Sequence, residues 1–463
     1  MSKIKVNTVA PRSGTTVTLG ESGDTIALGT GASQTGFGRT GTVDWCTTAK
    51  TSPLTATSGK GYFINTCGGA VTVTLPSSPT AGDIVSLKDY KNTWDNNKVT
   101  VGRGGSKIFG LCLDASLNTE GQTVSLVYVD GTQGWMNVQT DATVQGTTYV
   151  TATGGNAIVT CGNYKTHIFT GAGTFCVSAI ATTASDNVVE YLVVAGGGGG
   201  SLSGPCGGGA GAGGFRYFSA LSPAGSPLVA PAGVTVSASP YTIAVGGGGA
   251  RRLAPAGCGV GCSGGVSTFS TITSAGGGGG GQYPGIAGAA GGSGGGGGTN
   301  CAAGGAGNTP PTSPVQGMAG GSATGAMGPG SNPVHRAAGG GGGAGASGAN
   351  GAPGGGGDGG VGSYIPDGFI GPTAPSYGEA GPVSNTRYFS GGGGGGSVGS
   401  SPNTKGCGGA GGGGNGGQGG PAPTINAENG STNMGGGTGG VANSPACIGV
   451  GGSGIVMIRY RYQ

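Results

Sequence analysis

The side chains best suited to chemistry in this sequence are tyrosines and arginines that lie between glycine runs. Tyrosine offers a broad contact area at a low cost in side-chain entropy, and arginine supplies directional hydrogen-bond donors. Both suit the recognition of a carbohydrate or a protein surface. The candidate binding residues are Tyr364, Tyr377, Arg387, Tyr388, Arg251, Arg252, His335 and Arg336. For any one of them the alternative is that it caps the glycine-rich structure and shields it from water, or is simply solvated.

Residues for catalysis are sparse. The chain has two histidines, so a Ser–His–Asp triad would have to use His167 or His335. His167 lies in a strand pattern and is expected to be structural. Four carboxylates could serve glycoside hydrolysis, although nothing in the sequence pairs any two of them. They are Asp358, Asp367, Glu379 and Glu428. We therefore predict no enzyme activity and no catalytic residue.

Metal, nucleotide and nucleic-acid sites also have poor support. Cys258 and Cys262 are four residues apart, but two histidines make a zinc site a weak hypothesis. Gly-x-Gly-x-x-Gly matches arise by chance in so glycine-rich a chain, and no phosphate-binding P-loop is present. The 20 Lys and Arg residues are scattered, so the basic footprint of nucleic-acid binding is missing. We predict no metal, no cofactor and no nucleic-acid partner.

Composition limits the class of protein. The chain has 463 residues, 120 of them Gly, and only 8% are charged. A disordered solvating chain would carry more charge. No apolar run is long enough for a transmembrane helix, and the N-terminus lacks the apolar core of a signal peptide. We expect synthesis in a bacterial cytoplasm, with the 11 cysteines reduced and mostly buried as small hydrophobic residues.

Short alternating strands dominate the first part of the chain. Residues 1–40 hold a β repeat, Gly14–Gly20 and Gly23–Gly29, that has too little apolar surface to fold alone. Intertwined copies could bury it, which predicts attachment and trimerisation. Residues 41–143 contain all three Trp and regular strand runs separated by turns, which predicts a β-sandwich or meander. Residues 144–194 form a strand-rich bridge.

Residues 195–463 are predicted to be a glycine-rich tip domain. Glycine runs alternate with short apolar strands, and no strict Gly-X-Y register is present, which excludes collagen. A bundle of extended polyglycine-II-type helices explains the composition, because only glycine lets such backbones approach on several sides. Bulky segments such as Tyr364–Arg387 cannot fit inside the bundle, so we expect them to project as loops. The predicted class is all-β.

Several stretches of the chain, taken in order, resemble the glycine-rich domain common at the ends of bacteriophage tail fibres. They are Tyr164–Phe175, Val189–Gly198, Gly213–Arg216, Tyr241–Gly249 and Gly452–Tyr460. Other stretches resemble the N-terminal part of similar fibres, notably of marine and cyanobacterial phages. They are Gly14–Gly29, Trp45, Gly61–Thr66, Val71–Pro79, Gly82-Asp83 and Gly134-Trp135.

This resemblance implies a homotrimeric virion protein whose tip recognises the host surface. The tip is also similar to the adhesins of T-even-like phages, in which polyglycine II helices display variable loops, although those adhesins are separate chains. We expect a tail fibre that binds other tail or baseplate proteins through its N-terminal region and a host glycan or outer-membrane protein through its tip. The alternatives are a purely structural fibre or baseplate component and an ice-binding protein, which would carry Ala or Thr at every third position of one face.

Overall fold

The computed structural model describes residues 43–138, 148–201, 206–222, 228–252, 259–324, 336–353, 355–398, 405–419, 424–442 and 449–463. The chain divides into two compact units between Gly146 and Thr147, called unit 1 and unit 2. The predicted all-β class is confirmed, since strands are the main regular element in both units and α1 (Asp367–Ile370), the α-helix of the described residues, has four residues. The β repeat predicted for residues 1–40 lies outside the described residues.

Unit 1 contains short strands of alternating burial. They are β1 Asp44–Lys50, β2 Leu54–Thr55, β3 Lys60–Ile64, β4 Val71–Thr74, β5 Ile84–Asp89, β6 Val99–Gly102, β7 Ala115–Leu117, β8 Thr123–Asp130 and β9 Gly134–Asn137. They form sheet A, in the order β1-β3-β5-β8-β9, and sheet B, in the order β2-β4-β6-β7. Both sheets contribute side chains to one core, which includes Trp94 and Trp135.

The chain path in unit 1 is a coil and not a meander. Strands β1 to β6 alternate between sheets A and B, and each of β3 to β6 pairs in parallel with the strand two before it. Strands β7, β8 and β9 then add antiparallel pairs. Alternating apolar residues give each strand one buried face, but they do not specify which strand it pairs with. The sequence therefore predicts the strands of unit 1 without predicting their order.

Unit 2 contains the remaining strands. They are β10 Thr151–Thr153, β11 Ala157–Cys161, β12 Tyr164–Phe169, β13 Gly173–Ala179, β14 Val188–Val194, β15 Phe215–Phe218, β16 Val234–Thr235, β17 Pro240–Ala244, β18 Ser267–Phe269, β19 Ile272–Ser274, β20 Arg336–Ala337, β21 Ser363–Pro366, β22 Glu379–Ala380, β23 Thr386–Phe389, β24 Ser397–Val398, β25 Gln418–Gly419 and β26 Ile455–Arg461. Two 3-10 helices, Ala184–Asn187 and Gly371–Ser376, lie between them.

A central sheet organises unit 2. Its order is β11-β12-β26-β14-β15, so the C-terminal strand lies between β12 and β14. Alternate residues of β14 enter different cores: Tyr191 and Val193 pack with the sheet β10-β13-β17-β18-β19, whereas Leu192 and Val194 pack on the opposite side. The predicted bridge 144–194 is therefore not separate from the glycine-rich part, because its strand β12 pairs with the last strand of the chain.

The glycine segments of unit 2 bond to one another with a period of three. In segment 207–214, the N–H groups of residues 207, 210 and 213 donate to residues 441, 438 and 435, while those of 208, 211 and 214 donate to 281, 278 and 275. The N–H groups of 209 and 212 donate to 339 and 342. Each segment thus bonds to three neighbours in rotation, two antiparallel and one parallel in this case.

Close approach explains why these positions are glycine. A Cβ built on Gly209 would overlap the carbonyl oxygen of Gly393, and one on Gly341 would overlap that of Ala210. The atoms that such a Cβ would meet are backbone atoms at both positions, so no side chain can rotate away to make room. Hydrogen bonds between packed backbones therefore replace side-chain packing in this part of the core.

The segments run between two ends of the bundle. Segments 196–200, 246–249 and 276–281 follow β14, β17 and β19 and lead away from the sheets, whereas 207–214 and 449–454 lead back into β15 and β26. We call the end at the sheets the near end and the opposite end the far end. The connections from 201 to 206, 252 to 259, 324 to 336, 398 to 405, 419 to 424 and 442 to 449 start and finish at the far end.

Candidate functional site

The segment Tyr364–Arg387, predicted to project as a loop, is folded onto the central sheet. It forms a small sheet of order β21-β23-β22 together with α1. Ile365, Phe369 and Ile370 are at most 1% exposed and share a core with Leu192 and Val194 of β14. The prediction of a projecting loop is wrong, because these apolar side chains cover a sheet face that would otherwise meet water.

The four binding candidates of this segment are largely engaged in the fold. Tyr388 is 4% exposed and its ring lies 5.2 Å from that of Tyr364, its cross-strand partner. Burial raises the pKa of the Tyr388 hydroxyl. Tyr377 packs against the core of the segment, and Arg387 Nε lies 3.3 Å from Asp367 Oδ1. Tyr388 is therefore withdrawn as a contact residue, while Tyr364, Tyr377 and Arg387 keep partial exposure.

Hydrogen bonds of the carboxylates also serve the fold. Glu379 Oε2 accepts the N–H groups of Gly411 and Gly412 at 2.7 and 2.8 Å, which ties the segment to the glycine bundle. Asp358 Oδ1 accepts the N–H of Cys407 at 2.7 Å, and Glu428 Oε2 accepts Asn415 Nδ2 at 2.8 Å. Within the described ranges, no group of three or more His, Cys, Asp or Glu is placed to hold a metal ion.

His167 lies at the centre of unit 2. It is fully buried, its Nδ1 is 2.6 Å from the carbonyl oxygen of Gly154, and its Nε2 is 3.0 Å from the hydroxyl of Tyr460. Burial lowers the pKa of the imidazole. The interpretation of His167 as structural is confirmed. His335 lies outside the described residues.

The basic candidates lie at the far end. Arg251 and Arg252 are exposed, and the backbone N–H of Arg252 donates to Gly200 at 3.1 Å. Arg336 belongs to β20, and its guanidinium lies 5.4 Å from the ring of Tyr283. Lys405 also lies at the far end. The sequence did not indicate it as a candidate, because glycine runs do not reveal which segments begin or end at the same end of the bundle. The structure thus separates the candidates into a far-end basic group and a near-end group built around β21 and β23.

The sequence of the far-end connections has a common character. Residues 202–205, 253–258, 325–335, 399–404, 420–423 and 443–448 each contain proline, and none contains Asp, Glu, Lys or Arg. The cations next to these connections are Arg251, Arg252, Arg336 and Lys405, and the carboxylate of Asp358, hydrogen-bonded to the N–H of Cys407, lies close to them. Such a group of cations can attract an anionic surface.

The frame of unit 2 is also what the comparison with known families detects. Residues 170–461 match the family model described as a glycine-rich domain. The chain belongs to this family. The glycine-rich domain begins at the end of β12 and extends into β26, so it includes the strands, the glycine segments and both ends of the bundle. No curated protein matches the chain.

The cysteines of the described residues differ from the prediction. Nine are free, and Cys206 alone among them is buried; burial raises its thiol pKa to about 12. The prediction of mostly buried thiols is wrong, because seven of these nine are exposed, among them Cys161 in β11 and Cys176 in β13. No helix in the described part of the chain has the length and apolar character needed to cross a bilayer.

Proposed function

We propose that this protein is a phage tail fibre that attaches to the host-cell surface through the far end of its glycine-rich domain. Unit 1 and the N-terminal β repeat would join the homotrimer to other tail or baseplate proteins, and the chain would reside in the virion. The observation that supports this proposal most is the collection of six chain connections and four cations at one end of the bundle. Receptor-binding surfaces are commonly built from loops held by a rigid scaffold.

The bundle suits the task of holding such loops. We propose that its segments are polyglycine-II-type helices, which the hydrogen-bond period of three supports. Each segment is fixed by several neighbours, so a change in one connection leaves the bonds of the others in place. Several tips on one virion would multiply weak individual affinities through their effective concentration.

The proposal shifts the expected contact from the segment Tyr364–Arg387 to the far end. Replacing the whole segment with a flexible link would strip the cover from β14 and cause unfolding, so it cannot test binding. Substitution of Arg251 and Arg252 can, because both side chains are exposed.

The experiment measures adsorption of the labelled full chain to a panel of marine bacteria and cyanobacteria. We expect Arg251→Ala/Arg252→Ala to reduce adsorption, whereas Lys98→Ala/Lys107→Ala, which removes two charges from unit 1, leaves it unchanged. Equal adsorption of both variants would contradict a role for these arginines. A folded wild-type chain that adsorbs to no cell would favour the structural fibre or baseplate component.

An ice-binding function is a second candidate, which one observation favours. Ala287 and Ala290 are exposed on one segment, and Ala303 and Ala306 are exposed on the segment that bonds beside it. This is alanine at every third position on neighbouring segments. Thermal hysteresis of the purified chain tests it, and a freezing point equal to that of a control protein at the same concentration would exclude it.

A further inference from the structure

The outer faces of the two sheets in unit 1 differ in chemistry. The outward residues of sheet B are hydroxyl residues: Thr55, Thr72, Thr74, Thr100 and Ser116. The outward face of sheet A, called face A, is mostly apolar. Its apolar residues are Trp45, Phe63, Ile84, Tyr90, Val127, Val129, Met136 and Val138.

This contrast is informative because both faces belong to one small unit. A sheet face that meets water normally carries polar side chains, as sheet B does. On face A, by contrast, Trp45 is 37% exposed, Tyr90 is 48% exposed and Val138 is 60% exposed. The rings of Trp45, Phe63 and Tyr90 lie next to one another, and an exposed aromatic cluster of this kind marks an interaction site.

The polar side chains within face A already have partners. The hydroxyls of Ser86 and Ser125 are 2.7 Å apart on neighbouring strands, and Lys88 Nζ donates to the carbonyl oxygen of Gly121 at 2.5 Å. Lys88 is therefore the charge at the centre of the face, and a backbone carbonyl holds its ammonium group. Depletion of charge with enrichment of aromatic residues and Met is typical of the core of a protein–protein interface.

The size of face A fits such an interface. Five strands at about 4.8 Å spacing and about 20–27 Å of strand length give an area of roughly 500–650 Å². Face A and an equal area of its partner would together bury roughly 1,000–1,300 Å², which reaches the range of specific interfaces. A saccharide fits less well, because the rings of Trp45, Phe63 and Tyr90 are inclined by 39° and 72° and the neighbouring polar groups are already paired.

We propose that face A packs against a second copy of this chain. The proposal deepens the homo-oligomeric part of the proposed function and rests on it, but it is independent of receptor binding at the far end. Its test therefore reads subunit mass and burial of one side chain, which loss of cell adsorption does not affect.

Trp45 provides a reporter for face A. The other two tryptophans, Trp94 and Trp135, are fully buried in unit 1. Acrylamide in solution therefore quenches Trp45 selectively, and a Trp45→Phe variant gives the fluorescence of the buried pair. Mass by sedimentation distinguishes a single chain of 43.2 kDa from a multiple of it.

Each of two double variants introduces two lysines, one on either side of a single strand. That strand is β8 for face A and β6 for sheet B. Ile84→Lys/Val138→Lys alters face A, and Thr72→Lys/Ser116→Lys is the matched control on sheet B. We expect the wild type and the control to show a mass that is a multiple of 43.2 kDa and little quenching of Trp45. In the face A variant we expect Trp45 to become accessible.

Three results would overturn the proposal. The first is a wild-type Trp45 that is quenched as freely as an exposed side chain at every protein concentration. The second is a face A variant that behaves like the control while its circular dichroism remains native. The third is a protected Trp45 in a chain of 43.2 kDa, because the cover would then come from the chain itself.

Discussion

The Gly209→Ala substitution tests whether backbone contacts hold the glycine bundle together. A Cβ at this position would overlap the carbonyl oxygen of Gly393, which accepts the N–H of Gly341 at 2.8 Å. The N–H of Gly393 in turn donates to Ala210 at 2.9 Å, and that of Gly209 donates to Gly339 at 3.0 Å. A single methyl group therefore disturbs three hydrogen bonds among three segments.

The expected loss of stability follows from these contacts. Overpacking a filled core costs about 1–3 kcal/mol. Three weakened hydrogen bonds add about 1.5–4.5 kcal/mol at a net value of about 0.5–1.5 kcal/mol each. Alanine offsets about 0.4–1 kcal/mol of this loss, because it lowers the conformational entropy of the unfolded chain. The net loss is therefore about 1.5–7 kcal/mol, a large fraction of the roughly 5–15 kcal/mol that a folded domain has.

Gly247→Ala is the matched control. It also lies in a glycine segment, but a Cβ there would have nothing within 4 Å, and its φ is outside the left-handed region. We expect it to be neutral or to stabilise by up to about 1 kcal/mol, since only the unfolded-state entropy changes. The two variants differ in the neighbour of the added methyl and not in the chemistry of the substitution.

Urea unfolding followed by far-UV circular dichroism measures both variants at one protein concentration. All three tryptophans lie in unit 1, so their fluorescence should report an unchanged transition for that unit. Hydrogen exchange should show reduced protection at Gly341 and Gly393 in Gly209→Ala. If the two variants unfold within about 0.5 kcal/mol of each other, the reasoning on close backbone approach is wrong.

Three further predictions concern polar contacts of unit 2. Arg459 Nη1 and Glu190 Oε2 are 2.5 Å apart with both side chains buried, so Arg459→Met should cost about 3–5 kcal/mol in urea unfolding by leaving a buried carboxylate; a loss below about 1 kcal/mol would contradict this. Burial lowers the pKa of His167 below its usual 6.5, so the contribution of neutral His167 is present above pH 6.5 and is lost as pH falls towards the folded pKa. Below pH 6.5 the free energy of unfolding of the wild type should therefore decrease more steeply, as pH falls, than that of His167→Gln. Equal slopes for the two proteins would refute the assignment. Glu379→Ala should cost about 1–3 kcal/mol and expose the amides of Gly411 and Gly412 to hydrogen exchange; Glu379→Gln, which keeps one acceptor, should cost less.

The sequence predicts local structure here better than it predicts assembly. Alternation of apolar residues indicates strands such as β14, and glycine runs after them indicate segments that pack by backbone. Neither pattern specifies which strands pair with each other. The coil of unit 1 and the position of β26 between β12 and β14 could therefore not be predicted. Periodicity specifies a face, whereas pairing depends on the path of the whole chain.

The candidate residues show the same limit at the level of the site. Tyr388 and Arg251 both lie next to glycine runs, yet one is 4% exposed in a small sheet and the other is exposed at the far end. What distinguishes them is the direction of the neighbouring segment, which sequence alone does not contain. Apolar residues such as Phe369 were the available signal, because a bulky segment with its own hydrophobic side chains needs a surface to cover.

The geometry of the bundle separates stability from variation. Residues in the middle of a segment, such as Gly209, meet backbone on all sides, so their substitution disturbs several neighbours at once. The far-end connections follow the last described residue of each segment. If the far end is the receptor site, substitutions in residues 325–335 should change which cells the chain binds and leave its urea midpoint unaltered. A parallel loss of stability and adsorption would show that these connections belong to the core.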